Sequence, residues 1–343
     1  MKMNSKSQVR VVIPCRNERN YIGLCLDSLL ACNKEFANLS VQVVDGMSDD
    51  GTRSIVESYA EKFDFISLLD NEKKTTPFAL NMGVKSLDFD IAIILGAHAV
   101  VDKFFIDRNV KVLNDKPDVG CSGGFIHNIH ENEWSEIISV AMSSPFGVGN
   151  ANFRTGRKSG YVDTLAFGAY RREVFEKIGF FDEELARNQD DEFNFRMMKS
   201  GFKIFLDDSI HSSYFVRASI SKLSGQYDQY GYWKVFVNRK HRAITSLRQL
   251  APPLWVLYVV SGWLGYFVHP LFLVWYCLLI SVYIGLSVFM AMHYRMKTFF
   301  RFVKLLQAFW TLHFSYGMGY LRGIFHFYVL DKKPSDDSIE LTR

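Results

Sequence analysis

The 343-residue sequence has little cysteine: five residues, an odd number, with no Cys-x-x-Cys pair. That excludes a disulfide-stapled scaffold and suits a reducing compartment. Proline (8) and glycine (23) are too few for collagen-like or low-complexity chains. Charge is nearly balanced, 40 basic against 36 acidic residues for a net +4, too mild to indicate a nucleic-acid partner. The turn after the first apolar run lacks Gly-x-Gly-x-x-Gly, which excludes a dinucleotide-binding first turn. Met1–Ser7 is short and polar, so no N-terminal signal peptide is expected. No internal repeat is visible.

What is present is 48% hydrophobic and 15% aromatic residues, which excludes intrinsic disorder. The length predicts about two domains. The mean hydropathy of +0.00 averages two unlike parts. Gln249–Tyr294 contains no Asp, Glu, Lys or Arg. As one helix this run would measure about 69 Å, against a hydrocarbon core of roughly 30 Å. It must fold back, and His269-Pro270 is the natural break. Leu254–Val268 and Leu271–Met292 are therefore expected to form a hairpin, about residues 254–292. The alternative is a buried helical pair. Arg239, Lys240, Arg242 and Arg248 precede the hairpin, and Arg295, Lys297, Arg301 and Lys304 follow it, which places both ends on the cytoplasmic side. A further apolar stretch, within about residues 299–328, is expected to be an interfacial helix or a third crossing. The expected domains are residues 1–240, cytoplasmic, then a membrane domain over 241–330 and a polar tail over 331–343.

Residues 9–124 alternate β-rich runs with helical ones. Strands are expected at Val9–Ile13, Val41–Val44, Phe65–Leu69 and Ile91–Leu95. Helices are expected at Tyr21–Ala31, from a cap at Ser48 or Asp49 to about Lys62, and at Pro77–Ser86. This order predicts an α/β fold with a mostly parallel, doubly wound sheet, whose ligands bind at the carboxyl ends of the strands. Residues 125–160, rich in Ser and Gly, are expected to be a mobile loop near a site.

The chemistry-bearing segments lie at those strand ends. V-V-I-P-C-R-N-E occupies 11–18 and V-V-D-G-M-S-D-D-G-T occupies 43–52. Asp45 at the tip of strand two is placed to accept from the imide N–H of a uracil ring, while Ser48, Asp49 and Asp50 suit a helix cap. T-T-P-F-A-L-N-M-G follows at 75–83, Gly96-Ala97-His98 closes strand four, and G-F-F-D-E and N-Q-D-D-E-F-N-F-R-M-M-K-S-G occupy 179–183 and 188–201.

In order and spacing these segments resemble the inverting family 2 glycosyltransferases, over about residues 9–330. Within that family S-S-P-F-G-V-G-N at 143–150 and V-D-T-L-A-F-G-A-Y-R-R at 162–172 resemble the succinoglycan glucosyltransferase type, which carries C-terminal membrane helices. The resemblance implies a GT-A fold and a nucleotide-sugar donor such as a UDP-hexose. It also implies a polyprenyl-diphosphate-linked saccharide as acceptor, a setting in bacterial surface polysaccharide assembly beside other assembly enzymes, and a place at the cytoplasmic face of the bacterial inner membrane.

For single residues it implies a nucleoside pocket of Pro14, Arg16, Glu18 and Asp45, with Lys74 and Ala97 on the phosphate side. Asp190 is implied as general base, taking the acceptor hydroxyl proton as its oxygen attacks the anomeric carbon. Gln189 and Asp191 lie beside it, toward the acceptor. The acidic run also suits a helix N-terminus without any catalysis. His98 takes the position of a ligand to Mn²⁺ or Mg²⁺, with His211 as a second candidate; most relatives have a carboxylate where Gly96 stands. Gln226 and Tyr230 fall in Q-Y-D-Q-Y-G-Y-W-K at 226–234, similar to the Gln-x-x-Arg-Trp acceptor motif of processive relatives but without its Arg and Trp. The same stretch suits an interfacial helix. Two other functions stay open: a catalytically silent GT-A scaffold, motivated by Gly96 and Gln189, and a processive synthase, which needs more spans and the intact motif.

Overall fold

The computed structural model describes residues 7–35, 38–149, 152–156, 158–216 and 219–334. In chain order the elements begin β1 (Val9–Cys15), α1 (Ile22–Glu35), β2 (Leu39–Asp45), α2 (Thr52–Ala60), β3 (Ile66–Asp70), α3 (Thr76–Val84), β4 (Ile91–Ile94), β5 (Ala99–Val101), α4 (Phe105–Asp115) and β6 (Val119–Ile129). Next come α5 (Glu133–Met142), α6 (Pro145–Val148), α7 (Asn152–Thr155), β7 (Gly160–Val162), β8 (Ala169–Arg171), α8 (Arg172–Ile178), α9 (Gln189–Lys199) and β9 (Lys203–Phe215). The last are α10 (Ile220–His241), α11 (Ala251–Ser261), α12 (Leu271–His293) and α13 (Phe299–Ile324). Two compact units result: residues 1–128 with 151–215, and residues 129–150 with 216–343.

The first unit is built on one sheet in the order β3-β2-β1-β4-β8-β6-β9-β5, with β7 on β9. β3, β2, β1 and β4 run parallel; β8 joins β4 antiparallel. The parallel strands are the apolar runs of the sequence: Val11, Val12, Ile13, Val43, Val44, Ile93 and Ala92 are all fully buried. β1 and β4, covered on both faces, leave little room for alternation, whereas β2 alternates at Ser40 and Gln42 and the edge strand β3 exposes Ser67 and Asp70. One face packs on α1 through Ile22, Cys25, Leu26 and Leu29. The other packs on α3 and α8 through Ala79, Leu80, Val84, Val174 and Phe175. Burial pushes the Cys25 thiol up to about 12, so it serves as a core group and not as a nucleophile. α3 approaches β1 closely at Gly83, where a Cβ would stand 2.4 Å from Val12 Cγ1.

Two local expectations are corrected. The helix after β2 starts at Thr52, and its N-cap is Gly51 in the left-handed region (φ 94°), not Ser48 or Asp49. Those two residues are drawn into the loop before it. Residues 125–149, expected to be a mobile loop, continue β6 and then form α5 and α6. Asn132 and Ser135 close a capping box on α5, and Ser144 caps α6. Asn150, Ala151 and Arg157 of that stretch lie outside the described residues, as do residues 335–343 of the tail.

The second unit is helical. α10 and α13 pack backbone to backbone; a Cβ at Gly319 would stand 2.0 Å from the Asp228 carbonyl oxygen. α5 is tied to α13 by the ion pairs Lys304–Glu133 and Arg301–Glu136. His313 Nε2 donates to the Phe146 carbonyl (2.8 Å) and its Nδ1 accepts from the Tyr283 hydroxyl (2.8 Å). Among the described residues two helical segments are long and apolar enough to cross a membrane, Leu247–Phe267 and Leu271–His293. The chain breaks between them at His269-Pro270, as expected, and Pro270 caps α12. Leu271, Val274, Trp275 and Phe289 along α12 are each at least 60% exposed. The stretch after them is one continuous helix, α13, whose Leu305, Ala308, Phe309 and Leu312 are buried.

Substituting Gly83→Ala should force Val12 or α3 to move and cost about 1–3 kcal/mol. A fall of several degrees in the apparent melting temperature of the purified protein is expected; an unchanged midpoint would contradict this packing.

Candidate active site

The carboxyl ends of β1, β2 and β3 are level, with Cys15 beside Asp45 and Asp45 beside Asp70. The loops leaving β1 and β2 are joined to each other. Asn17 N–H donates to Ser48 Oγ (2.9 Å), and Asn17 Oδ1 accepts from Asp49 N–H (3.1 Å). Arg19 N–H donates to Asp50 Oδ2 (3.1 Å), and Glu18 N–H donates to Thr52 Oγ1 (2.8 Å). Small polar side chains thus take the backbone donors that two irregular loops would otherwise bury unpaired. Burial pushes the Asp50 carboxyl up, but hydrogen bonds from Thr52 and from the Arg19 amide outweigh it and hold the group below its ordinary value.

Asp45 lies at the base of this double loop, fully buried. Its Oδ2 accepts from Ser48 N–H (2.9 Å) and its Oδ1 from Ser48 Oγ (2.5 Å). The carboxylate is therefore oriented by the loop that it closes. Arg16 and Lys74 converge on Gly46: a Cβ there would stand 3.3 Å from Arg16 Cβ and 3.4 Å from Lys74 Cα. Pro14 is half-buried one residue before the end of β1, and Ala97 is buried.

His98 follows β4 and precedes β5. Its Nδ1 is 3.4 Å from Glu18 Oε1, and both side chains are largely buried (13% and 4% exposed). Tyr214 meets the imidazole edge-on, with ring centroids 4.9 Å apart. His211 stands elsewhere on β9, its Nδ1 3.3 Å from His127 Nε2. Among the described residues no group of three His, Cys, Asp or Glu side chains is placed to hold a metal ion.

Asp190 is exposed in the first turn of α9, and its Oδ1 accepts from Asp191 N–H (2.9 Å). The three acidic residues divide their tasks. Glu192 is buried and holds Arg196 (2.6 and 2.9 Å), which in turn caps the Ile178 and Phe180 carbonyls. Asp191 accepts from Thr164 Oγ1 (3.1 Å). Asp190 is the most exposed of the three. Tyr170, fully buried, donates to Asn194 Oδ1 (3.0 Å); burial first, then the Cys121 and Asp190 charges, push its hydroxyl well above the ordinary value, so it remains a neutral donor. Gln189 is half-buried beside Asp190. Gln226 and Tyr230 lie on α10 of the other unit, bonded to each other (Nε2 to hydroxyl, 2.8 Å).

The segment 164–168 connects the two halves. Thr164 holds α9 through Asp191, and Gly168 accepts from Ile94 N–H on β4 (3.0 Å). Between them Phe167 stands so close to Gly96 that a Cβ there would lie 3.2 Å from its ring. Phe167 has φ 56°, a conformation that a bulky residue adopts only at a cost. Asn17, Met47, Lys74 and Asn188 share this left-handed conformation. Each sits in a loop leaving β1, β2 or β3 or at the start of α9. Tyr214 carries no local sequence signal, and Phe167 lies within the 162–172 segment without any feature that singles it out; the Asn17–Ser48 pairing was foreshadowed only by the polar, turn-forming character of both loops.

The chain matches the sequence pattern described as Glycosyl transferase family 2 over residues 10–179. It is 31% identical over 239 residues to the dolichyl N-acetyl-alpha-D-glucosaminyl phosphate 3-beta-D-2,3-diacetamido-2,3-dideoxy-beta-D-glucuronosyltransferase of Methanococcus voltae, covering 68% of this chain and 74% of that protein. It is 29% identical over 246 residues to the succinoglycan biosynthesis protein ExoA of Rhizobium meliloti (strain 1021), covering 71% and 73%. Its fold is similar to that of mannosyltransferase PcManGT from Pyrobaculum calidifontis, solved in complex with GDP-Man and Mn²⁺, with a TM-score of 0.61, 19% identity, and coverage of 92% of this chain and 87% of that one. The likeness is one of fold, a GT-A fold.

Replacing Ser48 by Ala removes the hydroxyl's bonds to Asp45 Oδ1 and Asn17 N–H and keeps the backbone donation to Asp45 Oδ2. A loss of about 1–3 kcal/mol is expected, read as a lower melting temperature; wild-type stability would show that the two loops do not depend on this hydroxyl.

Proposed function

The chain belongs to glycosyl transferase family 2, and we propose that it is a membrane-anchored, inverting transferase that moves a sugar from a nucleotide donor to a lipid-linked saccharide. The observation that carries this reading is the placement of Asp190: the most exposed carboxylate of the α9 turn, joined through residues 164–168 to the loop that carries His98. A base near the acceptor and a donor loop at the strand ends are the two parts that a single-displacement transfer needs.

In this reading the double loop takes the nucleoside, with Asp45 accepting from the imide of a uracil and Pro14 and Arg16 around it, so the donor is a UDP-hexose. Lys74 and Ala97 lie toward the phosphates. His98 would hold a divalent ion against the diphosphate, whose departure the ion assists by offsetting charge. The residues fit such an ion. One imidazole with a carboxylate behind it is an ordinary half-site, because Mg²⁺ and Mn²⁺ bound to nucleotides take few protein ligands and complete their shell with phosphate and water. The imidazole favours Mn²⁺ over Mg²⁺. His211, bonded to His127, is left out of this set. Asp190 takes the proton of the acceptor hydroxyl; Gln189 and Asp191 orient that acceptor.

The membrane anchor rests on α11, α12 and the apolar side chains they expose. Phe267 and Val268, at 74% and 80% exposure, continue a surface far larger than water-soluble proteins tolerate. Basic residues on both flanks orient the chain with its catalytic unit on the cytoplasmic side. The acceptor is then a polyprenyl-diphosphate-linked saccharide, the product a repeat unit of a surface polysaccharide, and the setting the bacterial inner membrane beside other enzymes of the same assembly.

Three results are expected. Asp190→Asn should reduce transfer by about 10²-fold or more with donor binding intact; near-normal turnover contradicts the base assignment. Asp45→Ala should weaken UDP binding, measured by calorimetry; equal affinity removes Asp45 from the pocket. Alkaline carbonate washing should leave the protein in the membrane pellet; full release would refute the spanning hairpin.

A further inference from the structure

Arg154, in the short helix α7, carries a guanidinium nitrogen that nothing accepts from. Its Nη1 is buried and has no hydrogen-bond partner among the described residues, while the side chain as a whole is half-buried. What the guanidinium touches is aromatic. Its Cζ lies 5.6 Å from the Tyr214 ring centroid and 5.3 Å from that of Phe153. A ring face attracts a cation, but it does not satisfy five N–H donors as oxygen acceptors do. Guanidinium keeps its charge at any ordinary pH, and burying part of it unpaired is costly.

The segment around Arg154 is held in place. On one side Phe153 packs against the core that contains Leu80 and Phe193. On the other, Gly156 approaches β6 so closely that a Cβ would stand 3.0 Å from Phe125 Cδ1. The Tyr214 ring under the guanidinium is itself buried, with 8% of the residue exposed, and it is the centre of a cluster. His98 meets it edge-on at 4.9 Å, and Phe167, the ring that stands against Gly96, lies 6.5 Å from it. Arg154 and His98 thus share one aromatic neighbour, which ties Arg154 to the Gly96-Ala97-His98 turn after β4. Gly96 brings no acidic side chain to that turn.

We infer that Arg154 binds the diphosphate of the nucleotide donor. The inference rests on reading the turn after β4 as the phosphate side of the site, as proposed above. Phosphate oxygens are the acceptors that a planar guanidinium takes two at a time. A diphosphate brings both the negative charge and the oxygens that Nη1 lacks. The contact is made by side-chain charge and N–H donors and needs no metal ion of its own. The uracil end of the donor is a separate contact, at Asp45, so the two ends can be measured apart.

The experiment measures binding of UDP, uridine and inorganic pyrophosphate to the detergent-solubilised full chain by equilibrium dialysis, for wild type, Arg154→Ala and Arg154→Lys. Arg154→Ala should bind UDP and pyrophosphate about tenfold more weakly or worse, with uridine affinity within twofold of wild type. Arg154→Lys keeps the charge without the planar fork and should fall between the two. If Arg154→Ala binds UDP as wild type does, the inference is overturned while the UDP-donor reading stands. If uridine affinity falls as far as UDP affinity, Arg154 supports the fold and not the diphosphate, and the inference is likewise overturned. If UDP affinity holds but the Michaelis constant for the lipid-diphosphate acceptor rises, the guanidinium serves the acceptor, and the assignment to the donor is overturned. Pyrophosphate binding that depends on Arg154, in a wild type that does not bind UDP, would refute the uracil reading and support the inference. A wild type that binds neither would refute both.

Discussion

The site depends on the joining of two loops by side chains that serve the backbone. Asn17, Ser48, Asp50 and Thr52 each accept a main-chain N–H across or along the gap between the loops after β1 and β2. Without those bonds, two irregular segments at the ends of buried parallel strands would leave polar groups unpaired, at about 1–3 kcal/mol each. With them, the position of one loop fixes the other. Asp45 is oriented from within the junction, and Glu18 is carried on it to His98. The proposed donor side of the site is thus one object made from sequence-distant pieces, each placed by the level ends of the same sheet.

The proposed acceptor side is built on a different constraint. Asp190, Asp191 and Glu192 share one helical turn, where negative charge is favoured by the helix N-terminus, and they differ in exposure: Glu192 is buried, Asp191 half-buried and Asp190 exposed. Glu192 is spent on Arg196 and Asp191 on Thr164. Phe167 in its unfavourable backbone conformation stands between this turn and the Gly96–His98 turn. Backbone conformations of this sort persist only where the surroundings over-determine them, and Asn17, Met47, Lys74 and Asn188 share it at the strand-end loops and the start of α9.

Much of this was legible in the sequence because its signal is local. Runs such as Val11–Ile13 and Ile91–Ile94 can bury on both faces only as inner strands, and a charge-free run with a central His-Pro can only fold back. What failed was also local. Ser48 and Asp49 look like helix caps, but Asp45 and Asn17 compete for them, and Gly51 in the left-handed region does the capping. The Ser- and Gly-rich stretch after residue 125 looks like a loop, yet Asn132, Ser135 and Ser144 are capping residues of short helices. The Glu18–His98 pair and the placement of Phe167 and Tyr214 were out of reach, since they arise only when the strand order brings distant segments to one edge.

Gly96 and Gln189 are the places where the chain departs from the pattern of its family. Asp190 itself is kept, exposed in the first turn of α9, so a single-displacement site is the reading proposed over a silent scaffold. The most direct measurement is the anomeric configuration of the transferred sugar. Membrane-embedded protein is incubated with a panel of UDP-hexoses and a polyprenyl-diphosphate saccharide, and the lipid-linked product is analysed by proton NMR. A product whose new linkage has the configuration opposite to that of the donor is the predicted result. Retention of configuration, or nucleotide-sugar consumption with no glycosylated lipid formed, would contradict the account.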